Sequence, residues 1–368
     1  MHTLALCREL YNACLEERTE AYRMSKLTIT YNQQANQLPE IKELRPEYND
    51  IHSQVLQDTL RRVEKAVDNF FRRVKAGEKA GYPRFKSCNR FDSFTYPQSG
   101  FSLTQDHRVC LSKIGTLKLK LHRPIEGKIK TCTIKREINQ WYIVFSCEVE
   151  AKEPLPKSNE TIGIDMGLTH FATLSTGEKI ENPRHYRRAL KQLAKLQQNL
   201  ARKIKGSHRR GKTKKAIAKR HRKIKNQRKD FLHKASSTLV KSYGTLVFED
   251  LKILNMTRRP LPKRDEQTGA YLPNGAAAKA GLNKSILDAG WYQFQQYCTY
   301  KAEEAGRAVL FVDPKYTSQR CSNCGQISKK TLADRWHSCG CATELDRDHN
   351  SALDIKRLGS SQRGAQLA

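Results

Sequence analysis

Acidic residues are scarce in this chain: 37 Asp and Glu face 68 Lys and Arg, a formal net charge of +31 over 368 residues. The shortage says little about fold, but it sets the kind of partner. A polyanion is expected, and nucleic acid is the commonest one. An acidic membrane is the rival, yet no stretch is apolar and long enough to span a bilayer, so the membrane-spanning classes drop out. No apolar run with a cleavage-site pattern opens the chain, which speaks against secretion and for a cytoplasmic protein. A regular cysteine framework is missing too. Seven of the 11 cysteines (Cys7, Cys14, Cys88, Cys110, Cys132, Cys147 and Cys298) are scattered, and the other four crowd into positions 321–341. An odd total with one local cluster excludes a disulfide scaffold and points to a reducing compartment with a single metal site. No internal repeat is visible.

Helical periodicity runs from position 4 to about 80. Its strongest segment, 51–74, places Val55, Leu56, Leu60, Val63, Val67, Phe70 and Phe71 on one face and Arg61, Arg62, Lys65, Arg72 and Arg73 on the other. Gly81-Tyr82-Pro83 then breaks the helix. From about 91 to 149 the period becomes two. Residues 116–121 alternate strictly, as a half-buried strand should, and 130–136 with 141–150 read as a pair turned at Asn139-Gln140. Short strands of this kind suggest a small barrel, followed by a proline-containing linker over 153–159.

Ile162-Gly163-Ile164-Asp165 opens a new unit as a short buried strand, and Phe171 to Leu174 returns. Residues 184–234 follow as a helical stretch with 21 Lys or Arg and one acid, Asp230. Leu190, Leu193, Leu196, Leu200 and Ile204 give it an apolar stripe, so two antiparallel helices around Gly206 and Gly211 are expected. Residues 245–249 and 308–312 read as further buried strands. Residues 258–281 read as a Pro-, Gly- and Ala-rich loop, 282–306 as one helix and 350–358 as the closing helix.

Cys321-Ser322-Asn323-Cys324-Gly325 has the form of a metal knuckle, two thiolates flanking a turn that the glycine lets close. Cys339 and Cys341 can supply the remaining ligands of a tetrahedral structural zinc site, with His337 as a substitute for one of them. Three acids end buried strands or precede a helix: Asp165, Glu249 and Asp348. Each alone has an ordinary role as turn residue, strand end or helix cap. Together, carboxylates held at a sheet's edge form an oxygen ligand set suited to magnesium or manganese, and two such ions can drive phosphodiester hydrolysis. Asp346 competes with Asp348, but two residues apart on a helix they cannot face one site. Asp348 is therefore the expected ligand, Asp346 the cap or supporting group, and Asn350 a group that orients the metal's water or a phosphate. The basic hairpin supplies a groove for a phosphate backbone, through Arg202, Lys203, Arg209, Arg210, Lys214, Lys215, Arg220 and Arg222. Arg61 and Arg62 add candidates near the start of the chain.

In order along the sequence, Gly163-Ile-Asp165-Met-Gly167-Leu, Val247-Phe-Glu249-Asp-Leu-Lys252, Thr317-Ser-Gln-Arg-Cys321-Ser-Asn-Cys324-Gly and Asp346-Arg-Asp348-His-Asn350-Ser-Ala resemble the motif series of the TnpB (OrfB) family. Its members are insertion-sequence-encoded relatives of type V CRISPR effector nucleases. Gly81-Tyr-Pro-Arg-Phe-Lys86 resembles a further family motif, so the likeness covers nearly the whole chain. It implies an α/β multidomain protein. A helical recognition domain would span 1–87 and a wedge-like β-barrel 88–157. An RNase H-like (RuvC) nuclease domain would occupy 158–317 and 343–368, interrupted by a zinc ribbon at 318–342. It also implies catalysis by Asp165, Glu249 and Asp348, a guide RNA from the transposon end, and cleavage of double-stranded DNA beside a short motif near the nucleoid of a prokaryotic cell. Family members begin with a strand ahead of the first helix. Here the helix starts at Leu4, so a barrel without its first strand is expected. The Cys339-Gly-Cys341 spacing is tighter and the 258–281 loop longer than is usual in the family. Two alternatives stand beside the nuclease: a transposase using the same acids, against which the lack of a separate end-binding domain counts, and a non-catalytic nucleic-acid-binding regulator, which predicts loss of an acid.

Overall fold

The computed structural model describes residues 1–151, 153–331 and 334–367, with backbone alone for 363–367. It divides into two compact units, Met1–Glu150 and Ala151–Ala368. Among the described residues, no helix is long and apolar enough to cross a membrane.

The first unit starts with four helices, α1 (His2–Ser25), α2 (Tyr31–Asn36), α3 (Leu38–Leu44) and α4 (Ser53–Lys75), with a 3-10 turn at Pro46–Asp50. Thr30 and Gln33 close a capping box that starts α2. Six strands follow: β1 (Ser93–Tyr96), β2 (Phe101–Leu103), β3 (Arg108–Leu111), β4 (Gly115–Lys118), β5 (Lys128–Glu137) and β6 (Gln140–Glu148). They form two three-stranded antiparallel sheets, β1-β5-β6 and β2-β3-β4, rather than one closed barrel. Leu15 of α1, Leu56 and Leu60 of α4, and Tyr96, Val109, Leu111 and Cys132 of the strands share one hydrophobic cluster. Helices and strands therefore bury each other's apolar faces, which neither could do alone.

Three expectations for this unit are corrected. Residues 116–121 do not make a half-buried strand. β4 ends at Lys118 and all its residues are exposed, because it is the outer strand of a sheet that pairs only with β3. The β5–β6 turn is Ile138-Asn139, one position earlier than read, with Gln140 paired to Glu137 and Ile138 at φ 60°. The apolar face of α4 is buried only as far as Val63, and Phe71 and Val74 are about half exposed.

The second unit is built on β7 (Thr161–Met166), β8 (His170–Leu174) and β9 (Lys179–Glu181), then α5 (His185–Ala201), α6 (His208–Ser242), β10 (Thr245–Glu249) and α7 (Ile253–Met256). A small ribbon, β11 (Lys263–Arg264) and β12 (Tyr271–Leu272), precedes α8 (Ala276–Ala289), α9 (Trp291–Glu304) and β13 (Ala308–Val312). β14 (Trp336–Ser338), β15 (Glu344–Asp346) and α10 (Arg347–Leu367) complete it. The main sheet has the order β13-β10-β7-β8-β9. β7, β8 and β9 form an antiparallel meander, while β10 and β13 run parallel to β7.

Alternation along the strands assigns the two faces. Ile162, Ile164, Leu246 and Phe248 join a cluster with Leu232 of α6 and Phe294 of α9. Val247 points the other way, to Ile355 of α10. Gly163 lies on that second face, and a Cβ there would sit 2.0 Å from the Ala352 carbonyl oxygen. Only glycine lets the backbone of α10 lie directly on β7.

Four helical boundaries also differ from the sequence reading. The basic hairpin turns at residues 202–207 and Gly211 lies inside α6, because the Ser207 hydroxyl accepts from Arg210 N (3.2 Å) and starts the helix early. The 282–306 helix is two helices, broken at Gly290, which takes φ 74° as the cap of both. α8 also starts within the stretch read as loop, and α10 begins at Arg347 rather than Asn350.

Candidate metal centres and nucleic-acid surface

The three acids converge on one end of the main sheet. Ile164 of β7 pairs with Phe248 of β10, so the next residues, Asp165 and Glu249, leave adjacent parallel strands at the same level. They share the face of Gly163 and Val247, two residues earlier on each strand. That is the face α10 covers, and Asp348 stands in its first turn. Close packing of α10 at Gly163 thus carries Asp348 to the two strand acids.

Electrostatics register this proximity. Burial, then the charges of Glu249 and Asp348, hold the Asp165 carboxyl well above the ordinary carboxylate range, with Arg347 opposing. Burial also raises Glu249, against a hydrogen bond from Thr317 that lowers it. A cation placed among these groups relieves both the desolvation and the mutual repulsion.

Supporting groups fix Glu249 and the start of α10. The buried Thr317 hydroxyl donates to Glu249 Oε1. Gln295 Nε2 on α9 donates to the Glu249 carbonyl (3.0 Å). Asp346 Oδ1 accepts from Asp348 N (3.0 Å) and His349 N (3.2 Å), so Asp346 caps the start of α10. Arg347 Nη2 lies 3.4 Å from Asp348 Oδ1. Thr317, Gln295 and Arg347 are not apparent from sequence. Thr317 lies four residues ahead of the first knuckle cysteine, and its buried hydroxyl has meaning only once β10 is beside it.

Asn350 does not face the acids. It is fully buried, accepts from Ser322 N (3.0 Å) and donates to Arg320 O (2.7 Å). Its role is to moor the knuckle to α10. One turn on, the buried Asp354 pairs with Arg357 (2.7 Å) and faces Arg320 (3.7 Å).

Cys321, Cys324, Cys339 and Cys341 are the one group among the described residues whose ligand atoms all lie within 4.8 Å of one another. The carboxylates form a looser cluster. Sulfur separations of 3.7 Å for Cys321–Cys341 and 3.5 Å for Cys324–Cys339 fit the edge of a tetrahedron with metal–sulfur bonds of about 2.3 Å, near 3.8 Å. A hydrogen bond from Thr343 brings Cys341 down to about 6. Against a backbone hydrogen bond from Gln326, the sulfurs of Cys339 and Cys341 push Cys324 up to about 12. His337 is outside the set; it is fully buried, with Nδ1 beside Lys330 Nζ.

The basic candidates separate into two kinds. Arg210 Nη1 donates to the carbonyls of Leu200 (2.6 Å) and Lys203 (2.9 Å), and Lys203 Nζ reaches Thr213 Oγ1 (2.6 Å). These two residues make the hairpin turn. Arg62 is likewise internal, bonded to Asp58 (2.8 Å), the Ser93 carbonyl (2.7 Å) and Thr95 Oγ1 (2.8 Å). Arg61 is exposed over the Tyr31 ring (5.3 Å). Arg202, Arg209, Lys214 and Lys215 are exposed along the hairpin, and Arg220 and Arg222 are half-buried.

A mixed sheet with helices on both faces, acids gathered at one end and four clustered thiols on a ribbon, defines an α/β protein with two candidate metal centres. Sequence comparison narrows the class. The family model OrfB_IS605, described as "Probable transposase", matches residues 144–259, and the Cas12f1-like TNB domain matches 291–355. "Putative RNA-guided DNA endonuclease InsQ" of Escherichia coli K12 is 36% identical over 327 residues, 88% of this chain and 79% of that protein. The CRISPR-associated endodeoxyribonuclease Cas12f1 of Sulfoacidibacillus thermotolerans is 31% identical over 234 residues, 59% of this chain and 50% of its own length. A cryo-EM structure of a Cas12f1–sgRNA–target DNA complex shares the fold, with a TM-score of 0.57 at 14% identity over 96% of this chain and 81% of that one. The chain belongs to the OrfB (TnpB) family of insertion-sequence proteins.

Proposed function

We propose that the chain is an RNA-guided, metal-dependent DNA endonuclease of an insertion sequence. The observation that carries this reading is the convergence of Asp165, Glu249 and Asp348 on the face of the sheet that α10 covers. The sheet order, three antiparallel strands and then two parallel to the first, matches an RNase H-like, RuvC-type domain. The matched relatives named as RNA-guided DNA endonucleases supply the guide and the DNA substrate.

Asp165, Glu249 and Asp348 would hold magnesium or manganese, which supplies an activated water and charge stabilisation for phosphodiester hydrolysis. The chain's own groups set the geometry. β7 and β10 fix two carboxylates, Thr317 and Gln295 orient Glu249, and Arg347 balances charge beside Asp348. Cys321, Cys324, Cys339 and Cys341 would hold zinc in a structural role, since all four positions are taken by protein sulfur. The exposed arginines and lysines of the α5–α6 hairpin lie against phosphates and position the nucleic acid without reading its sequence.

The test is to purify the full chain with its RNA, sequence that RNA and offer a plasmid carrying the matching DNA. Magnesium-dependent cutting of that plasmid, lost in Asp165→Ala, is the expected result. Equal cutting by Asp165→Ala would remove the catalytic assignment. Joining of transposon ends rather than hydrolysis would indicate strand transfer.

A further inference from the structure

At the base of the α5–α6 hairpin, one cavity of the second unit gives part of that basic surface a definite place. It is an open hollow of 630 Å³ at the end of the main sheet, lined by the β7–β8 turn, the end of β9 and the start of α5. Arg184, Arg187, Arg188 and His170 face it, and Glu181 is its one acid. All three arginines are exposed. Glu181 lies 3.7 Å from His170 with its side chain 83% exposed, so it screens little of their charge. Asp288, nearby, already accepts from Tyr186 N (2.9 Å) and pairs with Arg228 (2.7 Å).

The arginines have partial neutral anchors rather than counter-ions. Arg184, at φ 48°, donates to the Leu168 carbonyl (3.3 Å), which holds it over the turn. Arg187 Nη2 is 3.5 Å from the Ser285 hydroxyl. For Arg188 no ion-pair partner occurs among the described residues. Forked guanidiniums without carboxylates are the usual receptor for phosphate oxygens.

Register gives the hollow's place relative to the acids. Asp165 pairs with Thr173, and His170 lies three residues along β8 toward the same end of the sheet as the β7–β8 turn. At 3.3–3.4 Å per residue that is about 10 Å, or about three nucleotides at a 3.4 Å rise. The geometry points to a phosphate-binding pocket, formed by Arg184, Arg187 and Arg188 with His170, that grips the backbone of the DNA strand entering the carboxylate cluster. Its ligand is the phosphodiester itself, with no base contact. The choice of the DNA strand rests on the endonuclease reading, while the pocket's affinity for a phosphate backbone does not.

The experiment compares the full chain, purified with its RNA, with the Arg187→Ala/Arg188→Ala double variant. Arg184 is left in place because it supports the turn. Binding of a single-stranded DNA oligonucleotide is measured in EDTA across a salt series, so no cleavage is required. Losing two phosphate contacts should reduce the slope of log K against log salt by about 1.4, at about 0.7 per contact, and weaken binding about 10-fold at physiological salt. The Arg187→Lys/Arg188→Lys variant should keep the parent slope. Both arginines are exposed, so the melting temperature should not move. An unchanged slope and affinity in the alanine variant would overturn the pocket. Loss of co-purified RNA with an unchanged DNA slope would overturn its assignment to the DNA strand. A parent that binds DNA but cuts none when magnesium replaces the EDTA would sink the endonuclease reading and leave the slope to judge the pocket.

Discussion

The two ligand sets of the second unit differ in how far apart their members lie along the chain. The four thiols fall between positions 321 and 341, on two turns that need only short-range hydrogen bonds to form. The three carboxylates come from β7, β10 and the first turn of α10, and no local segment holds two of them. The thiols can assemble around a cation before the rest is in place. The acids exist as a cluster only when the sheet is paired and α10 is packed at Gly163. Asn350 and Asp354 couple the two, because both reach from α10 to the knuckle. Through these contacts the thiol-bearing segment is tied to the helix that carries Asp348.

Breaking each set in turn tests this difference. Asp165→Ala removes a carboxylate proposed to hold the metal and should lower DNA cleavage by about 10³-fold or more, with the fold intact by circular dichroism. Gly163→Ala should be nearly as damaging by another route. Its Cβ would collide with the Ala352 carbonyl, costing about 3 kcal/mol, and cleavage should fall together with the denaturation midpoint. Asn350→Ala leaves Ser322 N–H and Arg320 C=O without their partner, for about 1–3 kcal/mol. Zinc should then be extracted faster by a chelator, and cleavage should fall only as far as zinc is lost. The smallest effect is expected of Thr317→Val, about 10-fold in cleavage rate, with zinc retention unchanged. A Thr317 variant that lost zinc would show that the two centres are not separable in this way.

The acids also predict a pH signature of their own. Burial and mutual repulsion raise Asp165, and burial raises Glu249, so the folded state binds more protons than the unfolded chain. In EDTA their contribution to stability should therefore fall as pH rises above the ordinary carboxylate value. Manganese requires the deprotonated acids and should reverse that loss at neutral pH. The rise in melting temperature on adding manganese should shrink toward zero on acidification through the raised range. A manganese effect independent of pH would contradict the buried, coupled acids.

Sequence legibility follows the same division. The clustering of the knuckle cysteines is legible from spacing, because their geometry is local. Asp165 and Glu249 were visible as acids ending apolar runs, because strands β7 and β10 are buried on both faces and read as continuous hydrophobic stretches. Thr317, Gln295 and Arg347 were not, since each acts through a partner distant in sequence. Asn350 was misplaced for the same reason, its amide turning to the knuckle instead of the acids. In the first unit, residues 116–121 read as a half-buried strand because Leu117 and Leu119 alternate with lysines. Alternation marks a two-faced strand but does not say whether any layer covers the apolar face. Among the basic residues, sequence could not separate Arg62 and Arg210, which bond to backbone carbonyls, from exposed neighbours of the same charge.

The most direct measurement is anomalous diffraction from crystals of the full chain with its RNA, soaked in manganese and recorded at the manganese and zinc edges. Manganese peaks among Asp165, Glu249 and Asp348, and one zinc peak among Cys321, Cys324, Cys339 and Cys341, are predicted. Manganese bound elsewhere, or these three carboxylates directed away from one another with no peak between them, would contradict the account.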